Sequence, residues 1–342
     1  MATTFKAYAA TEKGGELKPF EFDPGPLGED QVEIAVSYCG VCHSDLSMLE
    51  NDWGMSRYPF VPGHEVVGTV VAAGPRAKNV KVGDPVGLGW SSSSCLSCDQ
   101  CLSGNHNLCS TTPGAEATII GRHGGFANRV RCHWVWATPL PTGLDHAKIG
   151  PLFCGGVTVF NPLIQFGVKP TDRVGVIGIG GLGHLALRFL NKWGCEVIAF
   201  SSNESKTEEA KSLGAHRVVN SRDAKQLASM AGQLNFILST TNVPLDWEAY
   251  LKCLAPKGRF HTVGAIPEPM SIHAFSLIFG EKSVSGSPTG SPRTTKLMID
   301  FCARHQIEPV TELFPMSKVN DAIEHLRAGK ARYRIVLKND IA

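Results

Sequence analysis

Hydrophobic positions follow two rhythms along this chain. Up to about residue 150, branched and small apolar residues alternate with polar ones or gather in short runs. Examples are Gln31–Tyr38 (QVEIAVSY), Val66–Ala72 and Ala127–Val135, with turns marked by Pro62-Gly63 and Gly83-Asp84-Pro85. Alternation with a period of two, bounded by Gly and Pro, predicts strands. From about residue 152 the rhythm changes. Compact apolar runs at Val174–Gly178, Val197–Phe200, Phe236–Ser239 and Arg259–Val263 predict buried strands, and Leu182–Trp193 and Lys206–Leu213 carry helical spacing. Strands alternating with helices predict an α/β unit built on a parallel sheet. Past Ser287 the pattern predicts helices over Thr294–His305 and Val319–Arg327 and a last strand over Tyr333–Leu337.

Composition changes this picture little. A chain of 342 residues is long enough for two cores, and 43% hydrophobic with 19% charged residues is ordinary for a globular protein. A net charge of +2 argues against nucleic acid or an anionic membrane surface as partner. No stretch approaches the roughly 20 apolar residues of a membrane span. The opening MATTFKAYAATEK holds no run of signal-peptide length, so a cytoplasmic location is expected. Eleven cysteines, an odd number, fit metal ligands plus buried thiols better than a disulfide framework.

Four of those cysteines, Cys95, Cys98, Cys101 and Cys109, share the segment CLSCDQCLSGNHNLC. Thiols at this spacing can wrap one zinc tetrahedrally, and a closed four-thiolate site is structural. A second motif is Asp172–Ala186 (DRVGVIGIGGLGHLA). Its glycines Gly178, Gly180 and Gly183 follow a predicted strand and open a predicted helix, the arrangement that binds a dinucleotide pyrophosphate. The next strand ends in Ser201, Ser202 and Asn203, with Lys206 one turn on and no carboxylate at the strand tip. NAD-selective sites place Asp or Glu there. Hydroxyls and a cation suit the 2′-phosphate of NADP(H), although both serines could instead cap the following helix. Three further segments stand out: Cys39–Asp45 (CGVCHSD), Pro62–Glu65 (PGHE) and Pro151–Thr158 (PLFCGGVT). Each offers a ligand for a second, catalytic metal, but spacing alone does not choose among eleven cysteines and twelve histidines.

With CGVCHSD, GHE, the four-cysteine loop, CGGVT and GIGGLGH in this order, the chain resembles the zinc-dependent medium-chain alcohol dehydrogenases over essentially its whole length. It is most similar to the cinnamyl-alcohol-dehydrogenase branch, which includes NADPH-dependent aldehyde reductases. The resemblance implies a GroES-like catalytic domain (1–151 and 289–342) and a Rossmann domain (152–288). It implies two zinc ions per chain. The catalytic one takes Cys42, His64 and Cys154, with Glu65 as an occasional ligand and Asp45 orienting the histidine. The same resemblance assigns Ser44 to pass the alcohol proton and His43, Thr158, Gly178, Gly180, Gly181, Leu182, Gly183, Val263 and Ser287 to the cofactor. Ser201, Ser202, Asn203 and Lys206 fall at the 2′-phosphate, and Trp53 and Trp90 fall where the family lines its substrate cleft. The implied reaction moves a hydride between NADP(H) and a primary alcohol or aldehyde that is aromatic, cinnamyl-type or medium-chain aliphatic. A homo-oligomer, dimer or tetramer, is implied as well. The chain departs from many relatives at Ser47, where a histidine would end the proton relay. Two other readings compete: an NAD-linked alcohol or polyol dehydrogenase, and a non-catalytic zinc and nucleotide binder.

Overall fold

In the first part of the chain, alternating side chains place one face of each strand in a core. Arg129–His133 shows this most plainly: Val130 and Cys132 are buried, and Arg129, Arg131 and His133 between them are not. The computed structural model describes residues 4–111 and 114–341. The long strand Gln31–Val41 is the hub of a seven-stranded sheet, pairing antiparallel with Val66–Ala73, Arg129–His133 and Arg334–Lys338. Val32, Ile34, Val66, Val70, Phe126 and Ile335 fill the core on that sheet. The chain divides into two compact units, 1–157 with 289–342, and 158–288. That division at 157/158 falls inside the helix Gly155–Gln165, a few residues past the expected 151/152.

The second unit holds a six-stranded, wholly parallel sheet. Across it lie Arg217–Asn220, Glu196–Ser201, Arg173–Ile177, Leu234–Ser239, Leu254–Thr262 and Ser283–Gly286. That is the doubly wound strand order with its reversal between the first and fourth strands, where such sheets bind ligands. Val197, Ile198, Ala199 and Phe200 are all buried, as expected of a strand covered on both faces. Helix Gly183–Trp193 follows the first strand, buries Leu185, Ala186, Phe189 and Leu190, and stops at Gly194, whose φ of 104° suits glycine.

Two predicted elements end differently. Ala127–Val135 is a strand only as far as His133. There the imidazole Nδ1 accepts from Val135 N (3.2 Å) and turns Trp134–Trp136 into a 3-10 helix. The helix expected from Lys206 starts at Thr207, after a 3-10 turn Glu204–Lys206 capped by the Asn203 side chain. No helix among the described residues is long and apolar enough to cross a membrane.

Candidate functional site

Cys42 follows the hub strand and stands at the N-cap of helix His43–Leu49. From the first turn of that helix the buried Asp45 carboxylate reaches back to two chain segments at once. Oδ2 accepts from Cys42 N (2.9 Å), and Oδ1 accepts from Gly63 N (2.8 Å) and faces His64 Nδ1 at 3.0 Å. An acceptor on Nδ1 leaves Nε2 as the lone-pair nitrogen. His64 Nε2 is buried and has no hydrogen-bond partner. Cys42 Sγ and Cys154 Sγ are 3.9 Å apart, and ligand atoms of Cys42, His64, Glu65 and Cys154 all lie within 4.8 Å of one another. Two sulfurs at about 2.3 Å from a tetrahedral zinc would stand about 3.8 Å apart. The orphaned imidazole nitrogen and the sulfur spacing therefore fit zinc.

Charge in this pocket is tightly coupled. A hydrogen bond from Cys154 holds the Cys42 thiol well below the ordinary range, and the same bond, with burial, pushes Cys154 up. Burial pulls His64 down, but Asp45 and the Cys42 thiolate outweigh it and leave the imidazole basic. Burial raises Glu65 to about 7 although the Arg334 guanidinium sits beside it. Arg334 donates to Glu65 Oε1, and Oε2 has no partner. Glu65 packs so closely on Gly40 that a Cβ there would meet Oε2 at 2.0 Å. Cys42, Cys154 and His64 would hold a divalent cation as two thiolates and a neutral imidazole, with the shared proton released.

Ser44 is half-buried, its Oγ 3.7 Å from Cys42 Sγ. His43, beside it, is exposed. Trp90 sets its ring edge-on to His64 at 5.1 Å, and the half-exposed Trp53 stands edge-on to Trp90 at 6.1 Å, so Trp90 borders the candidate metal ligands and Trp53 borders Trp90. Ser47 is buried in the same helix.

The four-cysteine loop is local and partly open. Cys95 and Cys101 sulfurs are 3.8 Å apart, those of Cys98 and Cys109 4.0 Å, and all four lie within the ligand distance of one metal. Backbone N–H groups of Ser97 and Cys98 draw the Cys95 thiol down to about 5, and burial pushes Cys101 up to about 12. Leu96 takes a left-handed φ of 58°, which turns those N–H groups inward. Asn107 ties the loop down through Nδ2 to Thr289 O (2.7 Å). The cysteines are free thiols.

In the second unit, Gly178 has φ 86°, and a Cβ on Gly183 would meet Gly178 O at 1.8 Å, so the turn admits only glycine at both positions. A Cβ on Gly180 would meet nothing within 4 Å: the backbone there borders open space where a phosphate can approach. Gly181 and Leu182 complete the turn, Leu182 as N-cap of the helix. Thr240 holds the turn from the neighbouring strand, its Oγ1 donating to Gly178 O (2.7 Å). A cavity of about 1110 Å³ opens at these strand ends, lined among others by Gly178, Ser201, Ser202, Asn203 and Lys206. Ser201 Oγ is already engaged in its own turn, donating to Asn203 O (2.9 Å) and accepting from Asn203 N (3.2 Å); Ser202 is exposed. Lys206 Nζ donates to Ile179 O at 3.4 Å. Thr158 is buried in its helix, Val263 N donates to Ser239 O (3.0 Å), and Ser287 Oγ lies 3.0 Å from the buried His261 Nε2.

Sequence reasoning missed Arg334, Thr240 and Arg222, which also lines the cavity. Only Arg334 carried a signal, as a cation set directly before the apolar run Ile335–Leu337.

A buried Cys2His set and a doubly wound sheet with a glycine turn define a zinc-binding, dinucleotide-dependent oxidoreductase. Residues 28–142 match the alcohol dehydrogenase GroES-like domain, and residues 181–304 match the zinc-binding dehydrogenase family. The chain is 55% identical over 334 residues to an aldehyde reductase of Synechocystis, covering 98% of each. It is 39% identical over 337 residues to cinnamyl alcohol dehydrogenase 7 of Arabidopsis thaliana, covering 96% of this chain and 94% of that one. Among solved structures, a cinnamyl alcohol dehydrogenase from Sorghum bicolor superposes with a TM-score of 0.92 at 35% identity over 98% of each chain. Another, from Helicobacter pylori and complexed with NADP(H), gives 0.90 at 31% identity over 99% of each. The chain belongs to the zinc-binding alcohol dehydrogenase family and is an enzyme.

Proposed function

We propose that this enzyme moves a hydride between NADP(H) and the aldehyde or primary alcohol form of a small aromatic, cinnamyl-type or medium-chain aliphatic substrate. The observation that carries the reading is the buried trio Cys42, His64 and Cys154, with His64 Nε2 unpartnered and aromatic rings beside it. The family relatives support the substrate class, and a related structure was solved with NADP(H).

When bound, zinc supplies Lewis-acid polarisation of the substrate oxygen and NADPH supplies the hydride. The chain's own residues do the rest. Asp45 fixes the tautomer of His64 and locks Cys42 and Gly63 to one carboxylate. Ser44 Oγ, at the mouth of the ligand set, gives or takes the proton of the alcohol oxygen. Ser47 is buried and cannot serve as a base near neutral pH, so the proton would pass from Ser44 to water. Trp90 and Trp53 form an apolar wall for the substrate chain or ring and keep water from the metal ligands. The glycine turn and the open face of Gly180 hold the pyrophosphate. Thr158, Val263 and Ser287 orient the nicotinamide, and Ser202, Asn203 and Lys206 take the 2′-phosphate beside Ser201. Cys95, Cys98, Cys101 and Cys109 hold the second zinc and brace the fold. We further expect a cytoplasmic homo-oligomer, dimer or tetramer, to be measured by light scattering.

The test is consumption of NADPH by zinc-loaded protein mixed with a panel of aldehydes. Cinnamaldehyde and benzaldehyde should drive it and NADH should substitute poorly. Protein carrying two zinc ions that left NADPH unconsumed with every aldehyde of the panel would overturn the reading.

A further inference from the structure

The cavity at the strand ends receives cations from two strands. Lys206 follows Glu196–Ser201 and is partly spent on Ile179 O. Arg222 follows the adjacent strand Arg217–Asn220. Its backbone N–H donates to Asn220 Oδ1 (2.9 Å), which pins the loop. Its guanidinium is exposed and makes no hydrogen bond or ion pair among the described residues. Two carboxylates share the cavity. Asp246 accepts from Ala249 N (3.1 Å), and Glu204 Oε1 accepts from Asn220 Nδ2 (2.9 Å), a bond that bridges the two strand ends.

With Lys206 as the only cation this rim would be net negative. A 2′-phosphate brings about −1.5 to −2 at neutral pH, so its entry would be opposed by Glu204 and Asp246. A second cation brings the rim to neutrality and removes that opposition. Guanidinium also presents paired N–H donors that match two phosphate oxygens, where an ammonium offers a point charge.

We propose that Arg222 is a specificity-determining residue for the cofactor, gripping the 2′-phosphate from the Arg217–Asn220 strand end while Asn220 engages the Glu204 carboxylate. The proposal rests on the NADP(H) reading and adds a residue that the sequence of the first two strands does not contain. It also supplies a donor for the 2′-phosphate where the Ser201 proton is taken within its own turn.

Fragment binding separates the two claims. Calorimetry on zinc-loaded wild type, Arg222→Gln and Arg222→Lys would use 2′,5′-ADP and 5′-AMP as probes, which differ by the 2′-phosphate. Wild type should prefer 2′,5′-ADP. Arg222→Gln should weaken 2′,5′-ADP by about 10- to 100-fold, the worth of a charge-assisted hydrogen bond or two, and leave 5′-AMP unchanged. Arg222→Lys should recover part of the loss. A wild type that bound both probes equally would overturn the NADP(H) reading itself. A wild-type preference that Arg222→Gln retained would overturn the role of Arg222 and leave that reading standing. Equal weakening of both probes would make Arg222 an adenosine contact and also overturn the proposal.

Discussion

The two cysteine-rich metal sets of this molecule are built in opposite ways. Cys95, Cys98, Cys101 and Cys109 sit within one loop, Cys101 buried and the other three partly exposed, with the Cys95 sulfur accepting from the N–H groups of Ser97 and Cys98 beside a left-handed Leu96. Cys42, His64, Glu65 and Cys154 come from three distant segments, lie buried, and are placed by strands and by the Asp45 carboxylate. Little besides the loop itself organises the first set, so a metal held there would supply folding energy. The second set is held in position by packed core and hydrogen bonds, so there the fold supplies the geometry and a metal would supply chemistry. Where the donors are local, an ion would shape the protein; where they are dispersed, the protein would shape the ion's surroundings.

Substitutions should separate the two. Cys101→Ser should have the largest effect. Structural zinc sites in small domains contribute on the order of 10 kcal/mol, so soluble yield should collapse or the melting temperature fall steeply. A variant with wild-type melting and two zinc ions by elemental analysis would erase the contrast. Cys154→Ser should keep the circular dichroism spectrum, hold one zinc, and lose at least about 10³-fold in kcat/KM, since Lewis-acid stabilisation is worth several kcal/mol. Ser44→Ala should keep both metals and cofactor affinity while kcat falls about 10²-fold, the low end for a proton-transferring group. Unchanged turnover would remove Ser44 from the proton path. Asp45→Asn should weaken catalytic zinc by about 10- to 100-fold, as for other groups that orient a ligand, and leave the loop zinc in place. Equilibrium dialysis against a chelator reads both occupancies.

A smaller effect comes from neither set. Buried His261 is held down to about 4 from an ordinary 6.5, with Nδ1 at Ser285 and Nε2 at Ser287. The unfolded chain then binds the proton that the folded one refuses, so stability is complete above about pH 6.5 and declines as pH falls toward 4. Near pH 5.5 the loss is about 1 kcal/mol. His261→Gln should flatten that slope in urea titrations, and an identical slope in both proteins would place the acid sensitivity elsewhere.

The legibility of the sequence follows the same division. The four-cysteine loop could be read from spacing because its geometry is local. The glycine turn could be read because Gly178 and Gly183 tolerate no side chain, so residue identity reports shape. Cys42, His64 and Cys154 could not be picked out by pattern, since long-range pairing brings them together and only the family resemblance singled them out. Thr240 and Arg222 stayed hidden for a related reason: each acts from a strand end adjacent in space but not in sequence. The 3-10 turn after His133 escaped because one imidazole hydrogen bond overrode an apolar run that otherwise reads as strand. Ser201 was legible as a missing carboxylate, while its internal hydrogen bond to Asn203 was not.

The strand Arg334–Lys338 pairs with the hub strand Gln31–Val41 and brings Arg334 to Glu65. This has a consequence for the timing of synthesis. The unit spanning 158–288 contains all its own strands and can close while the ribosome is still reading the last segment. The earlier unit cannot: its hub strand waits for a neighbour about 300 residues downstream, with Glu65 lacking its counter-ion until then. The half of the enzyme that is made first is therefore the half that is finished last, and its thiols must stay reduced in the interval.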